Sequence, residues 1–124
     1  MKFGLIGKGY ISQKHIYAIE KIGGKIVQIY DPILSNLQKP EHLFLYDFDY
    51  LVICSPSFTH YEYLKMGLKN LNIKKIICEK PLKLPWEPVI DDDRINVVLQ
   101  YRWLSEDICG DRIDVRVVRD ENYF

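Results

Sequence analysis

The sequence lacks an excess of charge of either sign, long apolar runs and paired cysteines. Lys and Arg together number 17, as do Asp and Glu, so the formal net charge is zero. No overall field therefore attracts nucleic acid or an acidic lipid surface. The three cysteines show no CxxC spacing, which argues against a disulfide scaffold and a zinc finger. The longest apolar stretch, around residues 51–54, is too short to span a bilayer.

The N-terminal residues also lack the apolar core and cleavage site of a signal peptide, because Met1-Lys2-Phe3 leads directly into a strand-like segment. Together with cysteines expected to be reduced, this predicts a cytoplasmic location. The 124 residues are 48% hydrophobic and 27% charged, which suits a single domain over residues 1–124. We expect neither nucleic acid nor a membrane as a partner.

Strand-like and helix-like segments alternate along the chain. Apolar residues recur at helical spacing over 10–22, between two short runs of strand formers, which predicts a β-α-β unit. A second helical pattern covers 59–71. The predicted strands are 2–6, 25–30, 43–46, 49–54, 75–78, 95–100 and 112–119. This order predicts an α/β domain with a mostly parallel sheet.

A glycine motif joins the first predicted strand to the first helix. In Gly7-x-Gly9-x-x-Ser12, the first glycine allows a tight turn and the second lets a pyrophosphate approach the backbone. The helix N-terminus adds N–H donors and the positive end of its dipole. Asp31, at the end of the second strand, can accept hydrogen bonds from ribose hydroxyls and would repel a 2′-phosphate. These residues predict a nucleotide site, and a methyltransferase that binds S-adenosylmethionine remains an alternative.

The second half of the chain carries more specific sequence. The segments are GLIGKGYISQKHIYAI (4–19), DYLVICSPSFTHYEYLKMGL (49–68), IICEKPL (76–82) and INVVLQYR (95–102). With them the chain resembles the N-terminal domain of the Gfo/Idh/MocA family of NAD(P)-dependent sugar oxidoreductases. Within that family it is most similar to the UDP-N-acetylglucosaminuronate 3-dehydrogenases of surface-polysaccharide synthesis. The resemblance implies a Rossmann-type, doubly wound sheet in the order 3-2-1-4-5-6, with NAD as cofactor.

The resemblance also implies roles for individual residues near the cofactor. It places the glycine loop at the pyrophosphate, Asp31 at the adenosine ribose and the later residues near the nicotinamide, with a cis bond before Pro81 in many relatives. The cofactor-binding residues implied are Gly7, Gly9, Tyr10, Ile11, Asp31, Ser55, Pro56, His60, Glu79, Lys80, Pro81, Gln100 and Arg102.

Lys80 is the predicted catalytic residue. It follows a buried strand whose carboxyl end faces the crevice where doubly wound sheets bind ligands. Its ammonium can polarise a substrate hydroxyl, or help relay the proton, as a hydride leaves for the cofactor. The alternative is an exposed lysine whose stem packs over the end of the strand.

Other titratable residues have structural explanations. Cys54 and Cys78 end adjacent buried strands and are predicted to be core residues, since free cysteine packs as a small hydrophobe. His15 is predicted to pack or to form a hydrogen bond, not to bind a ligand. The acidic run at 91–93 is interpreted as a solvated turn before a strand, and we predict no metal site.

The family members that this sequence resembles are more than twice its length, and their second domain completes the sugar site and the subunit contact. By that resemblance residues 104–124 correspond to the start of the second domain. The alternating strand at 112–118 predicts a homodimer, or a partner chain that completes the site. Two functions follow. One is an NAD-dependent oxidoreductase acting on a nucleotide-sugar hydroxyl, and the other is a stand-alone NAD-binding module without catalytic activity.

Overall fold

Five short strands form one parallel sheet. The computed structural model describes residues 1–98 of the chain. The strands are β1 (Lys2–Ile6), β2 (Lys25–Tyr30), β3 (Tyr50–Ile53), β4 (Lys75–Cys78) and β5 (Ile95–Val97). The α-helices are α1 (Tyr10–Lys21) and α2 (His60–Lys69), and 3-10 helices cover Pro40–Leu45 and Ser57–Thr59. The order across the sheet is β2-β1-β3-β4-β5, and each neighbouring pair is parallel.

The two α-helices pack on opposite faces of this sheet. Successive side chains of a strand point to opposite faces. In β1, Leu5 joins a buried cluster with Ile19 of α1, whereas Ile6 joins a second cluster with Leu64 of α2. Right-handed crossovers produce this arrangement, because the chain moves one way from β1 to β2 and the other way from β3 to β4. The prediction of a doubly wound parallel α/β sheet is confirmed.

The predicted strand at 43–46 is wrong. This segment lies largely in the 3-10 helix Pro40–Leu45, where proline at the first position loses no hydrogen bond for its missing N–H. Leu43 is fully buried, but Leu45, which would share its face in a strand, is 81% exposed. The segment therefore has no continuous buried strand face. When the third strand is removed from the predicted order 3-2-1-4-5-6, the remaining order 2-1-4-5-6 is the one observed, with predicted strands 4, 5 and 6 corresponding to β3, β4 and β5.

The remaining strands match their predicted positions with small changes at the ends. The strand predicted at 49–54 is shorter, and the strand predicted at 95–100 is observed as Ile95–Val97. The strand predicted at 112–119, the segment 104–124, Gln100 and Arg102 lie outside the described residues. Within residues 1–98, no helix has the length and apolar character needed to cross a membrane.

Gly67 allows α2 to lie close against the sheet. A Cβ at this position would be 2.6 Å from Cδ2 of Leu51 and 3.0 Å from Cδ1 of Ile76. A glycine inside a helix costs conformational entropy, and here the close contact with β3 and β4 explains why the helix tolerates it.

The C-terminal end of α2 is closed by Arg94, which precedes β5. The guanidinium donates to the carbonyl oxygen of Leu68 at 2.8 Å and to that of Asn70 at 3.1 Å. Asp92 accepts from Nε of the same guanidinium at 3.0 Å. The last carbonyls of a helix have no partner within the helix, so Arg94 supplies donors that α2 otherwise lacks.

We expect Arg94→Ala to lower the free energy of unfolding by about 2 kcal/mol, because hydrogen bonds from a charged donor are lost. The matched control is Lys69→Ala, which removes an exposed positive charge from the last turn of α2 and should change the free energy by less than about 0.5 kcal/mol. Urea denaturation measures both. Equal losses would show that charge near the helix end matters and the hydrogen bonds do not.

Candidate functional site

The carboxyl ends of the strands lie in one row. Ile6 at the end of β1 is paired with Tyr30 of β2 and Ile53 of β3, and Ile53 is paired with Cys78 of β4. The residues that follow these strands therefore emerge at the same edge of the sheet. The winding reverses between β1 and β3, which is the position where open parallel sheets form a ligand crevice.

The loop after β1 leaves its backbone open at this crevice. Gly7 has φ +101°, and a Cβ there would be 2.8 Å from backbone atoms of Cys54 and Ser55. At Gly9, in contrast, a Cβ would meet nothing within 4 Å. Helix α1 begins at the next residue without a side-chain cap and without an acidic residue in its first turn. A positive helix end beside an uncovered glycine fits the pyrophosphate of a dinucleotide.

The two glycines predict opposite consequences of the same substitution. Gly7→Ala should lower the free energy of unfolding by at least about 2 kcal/mol, because alanine is strained at this φ and its Cβ would contact fixed backbone. Gly9→Ala should leave the free energy of unfolding within about 0.5 kcal/mol but weaken NADH binding, since the methyl group would occupy the open surface. Denaturation and a fluorescence titration with NADH measure the two effects. Unchanged NADH affinity in Gly9→Ala would contradict this placement of the pyrophosphate.

Asp31 connects the glycine loop to the turn after β2. Its Oδ2 accepts from the backbone N–H of Lys8 at 2.8 Å, and its Oδ1 accepts from the N–H groups of Ile33 and Leu34 at 2.9 and 3.0 Å. Burial acts to raise the pKa of Asp31, but these three donors and the Lys8 ammonium outweigh it and hold the pKa below its usual value. The side chain is therefore a fixed carboxylate, and Oδ2 has capacity to accept a further hydrogen bond, for example from a ribose hydroxyl.

The first residues of α1 contribute in different ways. Ser12 is buried, and its hydroxyl donates to the carbonyl oxygen of Gly9, which fixes the end of the loop. Ile11 is half-buried and packs against the core on the α1 face. The Tyr10 ring is exposed, with the Lys14 ammonium 5.6 Å from its centroid.

Hydrogen bonds of two hydroxyl groups, those of Ser55 and Thr59, stabilise the loop after β3. Thr59 donates from Oγ1 to the carbonyl oxygen of Pro56 at 2.6 Å. Its single proton is thereby used, so the Ser55 hydroxyl is the donor in the 2.7 Å contact between Ser55 Oγ and Thr59 Oγ1. Ser55 and Pro56 thus stand in a braced turn at the crevice, where the sequence predicts contact with the cofactor.

The residues after β4 divide between buried and exposed positions. Glu79 is buried, and its Oε1 lies 2.8 Å from Nε2 of His15 on α1. Lys80 is exposed and makes no hydrogen bond or ion pair with any residue of the described range 1–98. The Lys80–Pro81 peptide bond is cis, as the resemblance implies. Lys80 therefore has an anchored backbone on its N-terminal side and a side chain free to meet a ligand.

The two cysteines at this edge are core residues, as predicted. Both are buried. Burial raises the pKa of Cys54 to about 12 and that of Cys78 to about 12, with the nearby Glu79 charge as a second cause. At neutral pH both are thiols and not nucleophilic thiolates.

The contacts of the His60 ring were not predicted from the sequence. It is buried, with Nδ1 2.7 Å from the carbonyl oxygen of Pro81 and Nε2 2.7 Å from that of Ser55. Both ring nitrogens are engaged by backbone, so the side chain lies beneath the two loops and neither nitrogen is left for a ligand. A direct contact between His60 and the cofactor was predicted from the resemblance, and this geometry favours an indirect role.

His15 forms a hydrogen bond, as predicted, but its partner Glu79 was not predicted from the sequence. The two residues are separated by 64 positions, and no periodicity or short motif connects them. The acidic run before β5 behaves as predicted, since Asp92 accepts hydrogen bonds from Arg94 in a turn. Within the part of the chain that the structure describes, no group of three or more His, Cys, Asp or Glu residues could hold a metal ion.

The model of the Gfo/Idh/MocA family, an oxidoreductase family with an NAD-binding Rossmann fold, matches residues 1–91. The chain belongs to the Gfo/Idh/MocA family. The predicted fold and the predicted cofactor, NAD, are therefore confirmed at the level of the family. The nucleotide site is that of an NAD-binding domain, which removes the methyltransferase alternative.

Solved structures of other proteins share this fold. The WlbA (WbpB) dehydrogenase from Thermus thermophilus, solved with NAD and UDP-GlcNAcA, is 31% identical with a TM-score of 0.60, and the match covers 68% of this chain and 34% of that one. The UDP-N-acetylglucosamine 3-dehydrogenase GnnA from Acidithiobacillus ferrooxidans is 19% identical with a TM-score of 0.57, covering 68% of this chain and 31% of that one. The transcriptional regulator Gal80p from Kluyveromyces lactis is 23% identical with a TM-score of 0.54, covering 66% and 27%. The last two likenesses show the fold alone. This Gfo/Idh/MocA chain spans about a third of the length of WlbA.

Proposed function

We propose that this chain provides the NAD-binding half of an oxidoreductase that oxidises a hydroxyl group of a UDP-linked sugar. The observation that carries the proposal is the meeting of three features at one edge of the sheet. These are the open glycine loop at Gly7 and Gly9, the fixed carboxylate of Asp31 and the exposed Lys80. The 31% identity to a dehydrogenase solved with NAD and UDP-GlcNAcA supports the choice of sugar.

Each of these residues has a distinct task in the proposed reaction. The glycine loop and the N-terminus of α1 hold the pyrophosphate, and Asp31 accepts hydrogen bonds from the adenosine ribose. When bound, NAD supplies the hydride acceptor. The Lys80 ammonium donates a hydrogen bond to the oxygen of the sugar hydroxyl, orients it and stabilises the negative charge that develops there, while the hydroxyl proton passes to solvent water.

The wider assignment belongs to the same proposal. The UDP-linked sugar is a uronic acid of the UDP-GlcNAcA type, and the oxidation serves polysaccharide synthesis in the cytoplasm. A second copy of the chain, or a partner chain, completes the sugar site. The resemblance of the sequence to nucleotide-sugar dehydrogenases supports these statements.

A stand-alone NAD-binding module without catalytic activity is the second candidate. One observation favours it. Within residues 1–98 the features that suit the cofactor are built in full, whereas Lys80 is the sole residue there with a predicted catalytic role. The two candidates differ in whether the chain forms NADH from NAD and a UDP-sugar.

The carboxylate of Asp31 predicts a preference for NADH over NADPH of at least about tenfold, equivalent to about 1.4 kcal/mol. The 2′-phosphate of NADPH would lie close to a carboxylate that three backbone donors hold in place. Asp31→Asn keeps the shape and one acceptor oxygen, and it should narrow the preference. Asp91→Asn, at an exposed acid, should leave the preference unchanged. Fluorescence titrations with both cofactors measure this, and equal affinities in the unaltered chain would contradict the role of Asp31.

Lys80 should matter for turnover far more than for stability. We expect Lys80→Ala to reduce UDP-GlcNAcA-dependent NADH formation by about 10²-fold or more, the scale of a lost acid–base group. Because Lys80 is exposed, the free energy of unfolding of the variant should differ from that of the unaltered chain by less than about 1 kcal/mol. The affinity of the variant for NADH should be unchanged. Lys83→Ala, three residues along the same connector, is the control.

One outcome would contradict the role of Lys80, and another would favour the second candidate. Full activity in Lys80→Ala would show that the lysine does not act on the substrate. NADH binding without NADH formation from any UDP-sugar, alone or with added partner chains, would favour the binding module.

A further inference from the structure

His60 joins the loop after β3 to the turn after β4. It is the first residue of α2 and is 1% exposed. One ring nitrogen contacts the loop after β3 at Ser55, and the other contacts the turn after β4 at Pro81, each at 2.7 Å from a carbonyl oxygen. We propose that His60 is a positioning residue whose imidazolium form fastens these two segments together and thereby holds the backbone that carries Lys80.

Both contacts of His60 can be hydrogen bonds only if the ring is protonated. Carbonyl oxygens only accept hydrogen bonds, and a neutral imidazole has one N–H and one lone pair. With a neutral ring, one of the two 2.7 Å contacts would set a lone pair against an oxygen. With an imidazolium, both contacts are hydrogen bonds at the length typical of a charged donor. Burial and the positive end of the α2 dipole oppose this charge, so it depends on both acceptors.

The contacts of His60 lie beyond the last hydrogen bonds between β3 and β4. Pairing between β3 and β4 ends at Ile53 and Cys78, with one further bond from the N–H of Glu79 to the carbonyl oxygen of Ile53 at 2.9 Å. Ser55 and Pro81 lie beyond that point. His60 therefore connects the two segments after the strand hydrogen bonds have stopped.

Lys80 stands between two anchored neighbours. On one side, the carboxylate of Glu79 is held by His15 of α1 at 2.8 Å. On the other side, the carbonyl group of Pro81 is held by His60. The Lys80 side chain is exposed, so its backbone is fixed from both faces of the sheet while its ammonium stays free to reach the crevice. Loss of the proton from His60 would release one of these anchors.

The test below varies pH from 6 to 8.5, and the titratable groups around His60 in the described residues lie on α2 and at the ends of β3 and β4. The Cys54 and Cys78 thiols stay neutral in this range, because burial raises the pKa of each to about 12. On α2 itself the nearest acid, Glu62, pairs with Lys65 at 2.8 Å. The strand ends add Lys80 and the pair formed by Glu79 and His15. His15 must therefore be controlled in any test that varies pH.

The protonation of His60 can be observed without altering it. The chain contains three histidines, so ring-nitrogen NMR of a ¹⁵N-histidine-labelled sample gives three sets of signals. Separate His15→Gln and His42→Gln variants assign two sets, and the third belongs to His60. At pH 7.5, where a histidine with the ordinary pKa of about 6.5 is mostly neutral, we expect both nitrogens of His60 to carry protons. A single-proton tautomer at this pH would overturn the proposal.

A binding experiment tests the positioning role. NADH affinity is measured by fluorescence from pH 6 to 8.5 for the unaltered chain, His60→Gln, His15→Gln and His42→Gln. If His60 loses its proton toward pH 8.5, the NADH affinity of the unaltered chain should decrease over this range. We expect His60→Gln to weaken NADH binding at pH 6 by at least about fivefold and to abolish this decrease. His42→Gln should preserve both the affinity and its decrease, and His15→Gln should preserve the decrease. A folded His60→Gln chain, verified by circular dichroism, with unaltered affinity and pH profile would contradict the proposal.

This binding test rests on the NAD site of the proposed function, whereas the NMR test does not. If the unaltered chain binds no NADH at any pH, the proposed function fails, and the ring-nitrogen spectrum still decides the state of His60. If His60→Gln does not fold, the spectrum of the unaltered chain again gives the decision.

Discussion

The register between parallel strands is the constraint on which the site depends. Pairing of Ile6 with both Tyr30 and Ile53 sets the ends of three strands at one level. The next residues along each strand then enter the same crevice, although they are far apart in the sequence. A shift of one residue in any strand would turn its side chains to the opposite face. It would move Asp31 away from the glycine loop or Glu79 away from His15.

The two glycines of the loop after β1 differ in how closely other parts of the chain approach them. Gly7 has no space for a side chain because the chain after β3 passes directly behind it, whereas Gly9 faces open space. The charged groups are arranged in the same way. Asp31 and Glu79 are each held by partners within the protein, and Lys80 is exposed. The carboxylates of Asp31 and Glu79 are therefore fixed by hydrogen bonds, whereas the ammonium of Lys80 is available to a ligand.

Much of the fold could be read from local patterns, and the errors have a common cause. Short runs of buried strand formers located β1 to β4, and the change to helical spacing after Gly9 located α1. The segment 43–46 has a similar apolar composition but is a 3-10 helix, with Leu43 buried and Leu45 exposed. Composition alone does not distinguish these cases, because a strand requires a neighbouring strand to accept its hydrogen bonds.

Short patterns in the sequence are enough to locate the parts of the site that depend on local chain geometry. These are the glycine turn, the acid at the end of β2, and the lysine and proline after β4. Their positions follow from short motifs, and the family to which the chain belongs follows from the same motifs. The contacts that hold these parts together form between elements that are distant in the sequence. The pair of His15 with Glu79 and the bridge from His60 to Ser55 and Pro81 join separate elements, because their partners meet only after the helices have packed on the two faces of the sheet.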